Sequence, residues 1–496
     1  MATNVIKPEE ILRKEPFRRT RPSQMVEQGQ INRPGGGIDG SIEAGYDPLL
    51  FDYYTQADFL REWDVNSHLI NSIKYYPNQM MQKGSGENSK YYRKVKTRIA
   101  IAWQRRIFTK RIATLTGNNI ALSIANAVTG KATKDALALF REGWVVKNIE
   151  NSIFECLSAN LKVGDGAICF YKSNGKVGTT VFSYEKGDIL YPLYESVGHE
   201  LKAFGRKYHS AETTEDGKIV MKEYLDIWDK SYYNRYEMGS EHKWEKIETK
   251  AHGFERVPIA YARYGEPCWA NSQSLIDSHE MAMSQLAENN AAYALRILVA
   301  LGADMEMISS VDGTPQQINC SDPNAKVSFL EPADSSASFD LQIRTLEQNI
   351  MRCSFAVETP EIKSGSDLSS LTVKMMYADA YQKALEDAQF FQPFLDDVVE
   401  IFKLGYGTEI TKTAEFVTLK VKAEIIPYIF MSESEVVNSM VQLVGSKVLS
   451  RSTATGIAYE MLGYGDIDEV EKVRQEEHDD LVGAMTNVVN NARNQQ

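Results

Sequence analysis

Chemistry in a chain needs polar groups that converge, so the first residues to weigh are those whose types and spacing promise it. A phosphate-cradling loop reads GxxxxGK[ST]; the nearest approach, Gly130-Lys131-Ala132, lacks the hydroxyl residue. No GxSxG elbow, HExxH helix or EF-hand loop occurs, and the seven histidines are far apart in sequence. His279 lies in a mostly apolar helical stretch, where a lone imidazole is expected to pack rather than to ligate or move protons. The cluster Glu476, Glu477, His478, Asp479, Asp480 points consecutive side chains around a helix, which predicts a solvated face and no cation site. Cys156, Cys169, Cys268, Cys320 and Cys353 are scattered without a CxxC pair and are expected to be buried, inert thiols. The sequence therefore predicts no catalytic residue, no metal and no cofactor.

The 496 residues include 67 acidic and 55 basic side chains, a net charge of −12. Proteins that grip DNA over their whole surface draw affinity from counterions displaced by cations, and this balance argues against that mode. One stretch runs the other way. Residues 90–111, KYYRKVKTRIAIAWQRRIFTKR, hold nine basic residues and no acidic one, with Ile99, Ile101, Trp103 and Ile107 interleaved. It reads as a basic, partly buried helix: a nucleic-acid patch or, by preference, a helix whose cations pair with acidic neighbours. No uncharged apolar run approaches the ~20 residues that span a bilayer. The first residues lack the apolar core of a secretory signal, which predicts folding in a reducing cytoplasm.

The elements that must position any working surface alternate between β-rich and helical. Residues 1–45, with RRTRP, RPGGG and few large apolar side chains, read as an irregular arm that orders only against neighbours. From about 164 to 263 aromatic and β-branched runs dominate, and Asn174-Gly175 marks a tight hairpin turn. A long helix is predicted from Asn271 or Ser272 to about Ala300, with Leu275, Ala282, Leu286, Tyr293 and Ile297 down one face. Residues 301–334 read as a small β-loop module with strand-like pieces at 305–308 and 326–330. A second helix over 336–357 lines up Phe339, Ile343, Leu346, Ile350, Cys353 and Val357 on one seam. TPEIKSGSDLSS, residues 359–370, breaks it and leads into a third long helix that Pro393 should kink. Residues 416–425 alternate as a half-buried strand, and 431–496 read as an acidic helical end. The whole predicts an α+β chain with more than one compact region.

That order of elements resembles the portal proteins, the head-tail connectors of tailed double-stranded DNA bacteriophages. RVPIAYARY (256–264), followed by SQSLIDSHEMAMSQLAENN (272–290), resembles the family's passage from a wing strand into the first stem helix. SGSDLSSLTVKMMYADAYQKALEDAQFF (364–391) resembles its tunnel loop and the long helix behind it. KVLSRSTATGIAYEMLGYGDIDEVEKVRQEE (447–477) resembles its C-terminal segment, and TKRIATLTGNNIALSI (109–124) its wing helix and turn. The resemblance implies the phage portal fold, α+β, with β-rich wing, helical stem, small β-loop clip and helical crown. Its divisions would be an irregular N-terminal arm (1–45), wing (46–271), stem helix (272–300), clip (301–335), second stem helix (336–358), tunnel loop (359–371), long kinked helix and wing strand (372–430), and crown with C-terminal tail (431–496).

The resemblance further implies a non-enzymatic subunit of a twelve-membered homo-oligomeric ring. It would be made in the host cytoplasm and set at one capsid vertex of the virion, where double-stranded DNA is packaged and ejected. The implied partners are DNA in the channel, the terminase large subunit, head-completion or adaptor proteins, and the major capsid and scaffolding proteins, with no membrane. The channel-wall residues it points to are Lys363, Ser364, Ser366, Ser369 and Ser370, one cation and small hydroxyls that touch phosphates weakly, as suits a conduit. The clip is the part expected to dock the packaging motor. Two rivals differ in what they require. A packaging ATPase needs the missing phosphate loop and a carboxylate pair on magnesium. Another structural capsid or tail-junction protein would share long helices and β-rich parts, but not the order helix, small module, helix, loop, helix.

Overall fold

The computed structural model describes residues 6–12, 17, 20–21, 52–83, 90–125, 130–196, 200–213, 217, 219–293, 297–301, 305–309, 315–320, 326–330, 336–356, 370–410, 414–428, 433–451, 453–455, 457, 475 and 478. In chain order the elements begin α1 (Pro8–Ile11), β1 (Thr20–Arg21), β2 (Asp52–Tyr53), α2 (Gln56–Trp63), β3 (Gln79–Lys83), β4 (Lys90–Lys94), α3 (Trp103–Thr116), β5 (Ala121–Ile124), α4 (Lys131–Val146) and α5 (Ile149–Val163). A β-rich run follows: β6 (Asp165–Ser173), β7 (Lys176–Phe182), β8 (Ile189–Tyr194), β9 (Leu201–Thr213), β10 (Ile219–Trp228), β11 (Tyr232–Met238), β12 (Trp244–Ala251) and β13 (Ile259–Arg263). Then come α6 (Gln273–Tyr293), β14 (Ile297–Leu301), β15 (Met305–Ser309), β16 (Pro315–Cys320), β17 (Lys326–Leu330), α7 (Ser336–Cys353), α8 (Ser370–Glu409), α9 (Ala414–Thr418), β18 (Val421–Glu424) and α10 (Glu433–Gly445). The chain forms two units: residues 1–359 with 379–428, and residues 360–378 with 429–496.

The first unit is organised by a strand that is apolar at consecutive positions. Such a strand must be covered on both faces, and AICF in β6 is. Ala167 and Cys169 meet Phe182, Leu190, Phe204, Trp228 and Ile259 between two sheets. Ile168 and Phe170 point the other way, into a core with Ile153, Cys156 and Leu157 of α5. One of those sheets is an antiparallel meander in the order β12-β11-β10-β9-β8; the other is β13-β6-β7. The β6–β7 turn is the expected Asn174-Gly175, with φ of 52° and 75°, the left-handed pair that a two-residue hairpin demands. Around α5 the larger core gathers Ile107 of α3, Phe140 and Trp144 of α4, and Leu395, Val398 and Phe402 of α8. Phe402 meets the rings of Phe140 and Trp144 edge-on at 5.2 and 5.7 Å. Each such fully buried side chain contributes about 1.5–3 kcal/mol, which fixes the C-terminal half of α8 to the β-rich part. The fold is mixed helix and sheet in segregated runs, α+β as expected.

Several expectations are corrected. The arm does not wait for neighbours throughout: Ile6 and Ile11 are buried against Ala203, Leu225, Ile227 and Tyr236, and Phe17 against Tyr54 and Phe59. A few well-spaced apolar anchors suffice for that, while residues 22–51 lie outside the described ones. The basic helix expected over 90–111 is a strand, β4, paired with β3, then an extended stretch, and only from Trp103 a helix. The first long helix ends at Tyr293, and ILVAL, β-branched and apolar, becomes β14 paired with β17. The strand pieces expected at 305–308 and 326–330 are present in β15 and β17; β16 was not foreseen. α7 stops at Cys353, which is exposed instead of lying on the seam, and Phe355 turns left-handed at φ 56°. Val357 lies outside the described residues. Within 416–425 the alternation breaks, because α9 shifts the phase: Phe416 is buried and Val417 exposed before β18 pairs with β5. Of the acidic end, α10 is helical, and the cluster at 476–480 lies outside the described residues except for His478.

Candidate functional site

The working surface expected from the sequence is the helix–module–helix run α6, β14–β17, α7 and the entry to α8. The buried side of α6 is polar: Gln273, His279, Glu280 and Ser284 are all buried there. A polar helix face is stable in the interior only if its groups are matched, and the match is the extended stretch 95–102. Ile101 N–H donates to Glu280 Oε1 at 2.8 Å, Ile99 N–H to Ser284 Oγ at 2.9 Å, and Thr97 N–H to Glu288 Oε1 at 2.5 Å. Helix residues four apart rise about 6 Å, and strand residues two apart about 6.6 Å, so the two repeats stay in register over three contacts. Thr97's N–H, with help from Lys94 at 3.5 Å, holds the Glu288 carboxyl below its ordinary range.

Glu280 also carries a charge pair. His68 Nδ1 lies 2.7 Å from Glu280 Oε1 and Nε2 lies 2.9 Å from the Glu62 carbonyl. Both partners are acceptors, so both ring nitrogens donate and the ring is an imidazolium. Burial alone would lower its pKa, but the Glu280 carboxylate and the Glu62 carbonyl carry it above the ordinary histidine value. Glu62 in turn accepts from Trp269 Nε1 at 2.9 Å, next to the turn that opens α6.

His279 is buried and packs, as expected, but on the polar side of α6 instead of an apolar face. It lies edge-on to Trp103 with ring centroids 5.7 Å apart, and burial, only partly offset by Glu347, lowers its pKa. α7 is tied to the start of α6 by Ser272 Oγ, which donates to the Ile350 carbonyl at 3.0 Å.

The long helix α8 is pinned by buried charge. Arg111 donates from Nε and Nη2 to Asp387 at 3.2 and 2.8 Å, from Nη1 to the Cys268 carbonyl at 3.0 Å, and from Nη2 to Tyr264 Oη at 2.7 Å. Lys383, one turn earlier, reaches the same carboxylate at 3.2 Å. Further along, Arg256 pairs with Asp397 and Glu400, and Glu409 accepts from Lys147 at 2.7 Å and from Val177 N–H at 2.9 Å. Pro393 lies inside α8 without ending it, and the preceding Gln392 donates across to the Ala423 carbonyl at 2.8 Å.

Of the channel residues expected from the sequence, Ser370 opens α8, while Lys363, Ser364, Ser366 and Ser369 lie outside the described residues. Among the described residues no cluster of His, Cys, Asp and Glu is arranged to hold a metal ion, and no helix is long and apolar enough to cross a membrane. Cys156, Cys169 and Cys268 are buried, and burial pushes the last two up to about 12. A cleft of about 480 Å³ between the two sheets is lined by charges that already have partners, Arg206 on Asp188 at 2.8 Å and Arg235 on Asp226 at 2.9 Å. The residues the sequence reading missed are Glu280, Ser284 and Glu288. Their spacing of four is visible in the sequence, but nothing local names the stretch 95–102 that meets them.

Over residues 56–477 the chain matches a family described as phage portal protein, SPP1 Gp6-like. No curated protein matches it. Among solved structures, the virion of a native gene transfer agent particle is 12% identical with a TM-score of 0.34, covering 71% of this chain and 88% of that one. The neck of the native gene transfer agent particle, computed with C12 symmetry, is likewise 12% identical with a TM-score of 0.37 and the same coverage.

Proposed function

The chain belongs to the SPP1 Gp6-like phage portal proteins, a structural family, and from that premise we propose that its copies close into a twelve-membered ring at one capsid vertex of the virion. Double-stranded DNA is packaged and ejected through the ring, and no step of the chemistry is its own. In this reading α6 and α7 with the β14–β17 module are stem and clip, the β-rich part is the wing, and residues 359–371 line the bore. The clip meets the terminase large subunit during packaging and head-completion or adaptor proteins afterwards, and the outer surface meets the major capsid and scaffolding proteins.

One observation carries the reading. α6 and α7 keep apolar positions half-buried in the single chain, Leu275 and Leu286 on one and Phe339, Ile343 and Leu346 on the other, while Leu341 is 69% exposed. Apolar stripes left partly wet on two adjacent helices are completed by a neighbour. Electron micrographs of the purified protein are expected to show particles with a central hole and a countable rotational symmetry, and native mass spectrometry a mass near twelve times 55.9 kDa. A stable monomer at high concentration sinks the proposal.

A further inference from the structure

The sequence left residues 90–111 two uses, pairing with acidic neighbours or meeting nucleic acid. Lys94 does pair, with Glu288, and Arg111 with Asp387, while Arg98 donates to the Tyr76 carbonyl and to Asn78. Arg105 and Arg106, in α3, are exposed and reach no carboxylate among the described residues. From Asn88 to Lys134 the chain carries no acidic residue at all, so nothing nearby in sequence can supply one. Both side chains are nonetheless held in place: Arg105 lies over the Trp63 ring at 5.6 Å and Arg106 over the Trp103 ring at 5.4 Å. Stacking fixes each guanidinium plane and leaves N–H donors for anionic oxygens.

The two arginines share one face. At 3.6 residues per turn, Arg105, Thr109, Ala113, Arg106 and Lys110 fall within about 140° of one another around α3. The first four are exposed and Lys110 is half-buried at the edge, while Trp103, Gln104, Ile107, Ile112 and Leu115 bury the opposite side. What this face lacks says what kind of partner it fits. None of the exposed large apolar side chains lies on α3, and Thr109 and Ala113, between the cations, are short. Protein interfaces centre on aromatic and apolar side chains. Contact with a phosphate backbone needs only cations, other donors and room to approach. In a chain of net charge −12, this face is a local reversal of sign with no apolar centre, which fits a polyanion and not another folded surface.

Resting on the reading that duplex DNA is what the assembly handles, we infer that the outward face of α3, through Arg105 and Arg106, touches the phosphate backbone of that duplex. It does so without reading base sequence, and at a place in the chain other than residues 359–371. Two cations per copy give a weak, salt-sensitive contact, which suits a polymer that must keep moving.

The test is the salt dependence of binding to a fluorescently labelled DNA duplex, measured by anisotropy on the full chain, with circular dichroism for folding and mass photometry for assembly. The logarithm of the wild-type affinity should fall linearly with the logarithm of salt concentration. Arg105→Gln with Arg106→Gln should reduce that slope by about two for each copy that touches the duplex, and either substitution alone by about one. The loss should be the same on duplexes of different sequence, and Arg105→Lys with Arg106→Lys, which keeps the charge, should keep the slope. A glutamine pair with the wild-type slope overturns the inference, as does a wild type that binds no duplex at low salt. A glutamine pair that changes the assembly state but not the affinity for DNA gives the face to the next copy and overturns it too. A wild type that binds DNA with this slope yet forms no ring is a different result: it keeps the inference and removes the ring reading.

Discussion

At His68 one proton decides how firmly the start of α6 is held. The folded pKa lies above the ordinary 6.5 because Glu280 and the Glu62 carbonyl both require a donor. The folded state therefore keeps the proton to higher pH than the unfolded chain does, so the pair's stabilisation is complete below about pH 6.5 and is lost as pH rises through the folded pKa. His279 has the opposite sign: its pKa is lowered, so it destabilises below the unfolded value, and that cost disappears as pH rises through it. A single pH profile mixes the two, and the difference between wild type and His68→Gln separates them. The wild type's advantage in thermal midpoint should shrink from about pH 6 to about pH 9; a difference that does not change with pH denies the imidazolium. His279 could be singled out in the sequence because a lone histidine in a helical stretch is a local feature. His68 could not, since Glu280 lies 212 positions away and nothing near either residue announces the other.

Among the elements, α8 is the one whose position the rest must fix, and its buried tie is Asp387. The carboxylate is 1% exposed and serves two cations, Arg111 and Lys383. Removing its charge leaves the buried Arg111 without a carboxylate, while Lys383 keeps Glu386 at 2.9 Å, a loss of roughly 3–5 kcal/mol by analogy with broken buried pairs. Asp387→Asn should therefore lower the urea midpoint by far more than Glu241→Gln, whose partner Lys243 sits in open solvent. Equal effects would mean that the cluster is not what holds α8. Element by element, periodicity was a good guide where one neighbour dominates: the β6–β7 hairpin, β15, β17 and the start of α7 were all legible. It failed at residues 90–102 and 297–301. In the first, alternating cations on a strand and cations on a helix look alike until the partner, the polar side of α6, is known. In the second, ILVAL extends the apolar pattern of α6, and only its pairing with β17 makes it a strand.

For the whole molecule, symmetry turns single residues into rings and small charges into fields. In the proposed ring, twelve copies at −12 each would make an acidic assembly, and a bore of that sign would repel the DNA backbone from every side, within about one Debye length of 8 Å at physiological salt. That keeps a moving polymer centred, and strong affinity would stall it. Against this background a sparse circle of cations is the natural place for weak, transient contact with phosphates. The proposal gives that circle to Lys363, in a stretch of sequence that also carries Gly365, Ser364, Ser366, Ser369 and Ser370. On that proposal Lys363→Ala should leave ring assembly as it is while changing the amount of DNA packaged or retained per particle, measured by quantifying nuclease-protected DNA in purified heads. A variant that assembles and fills heads as the wild type does would move the contact with DNA to another circle of residues.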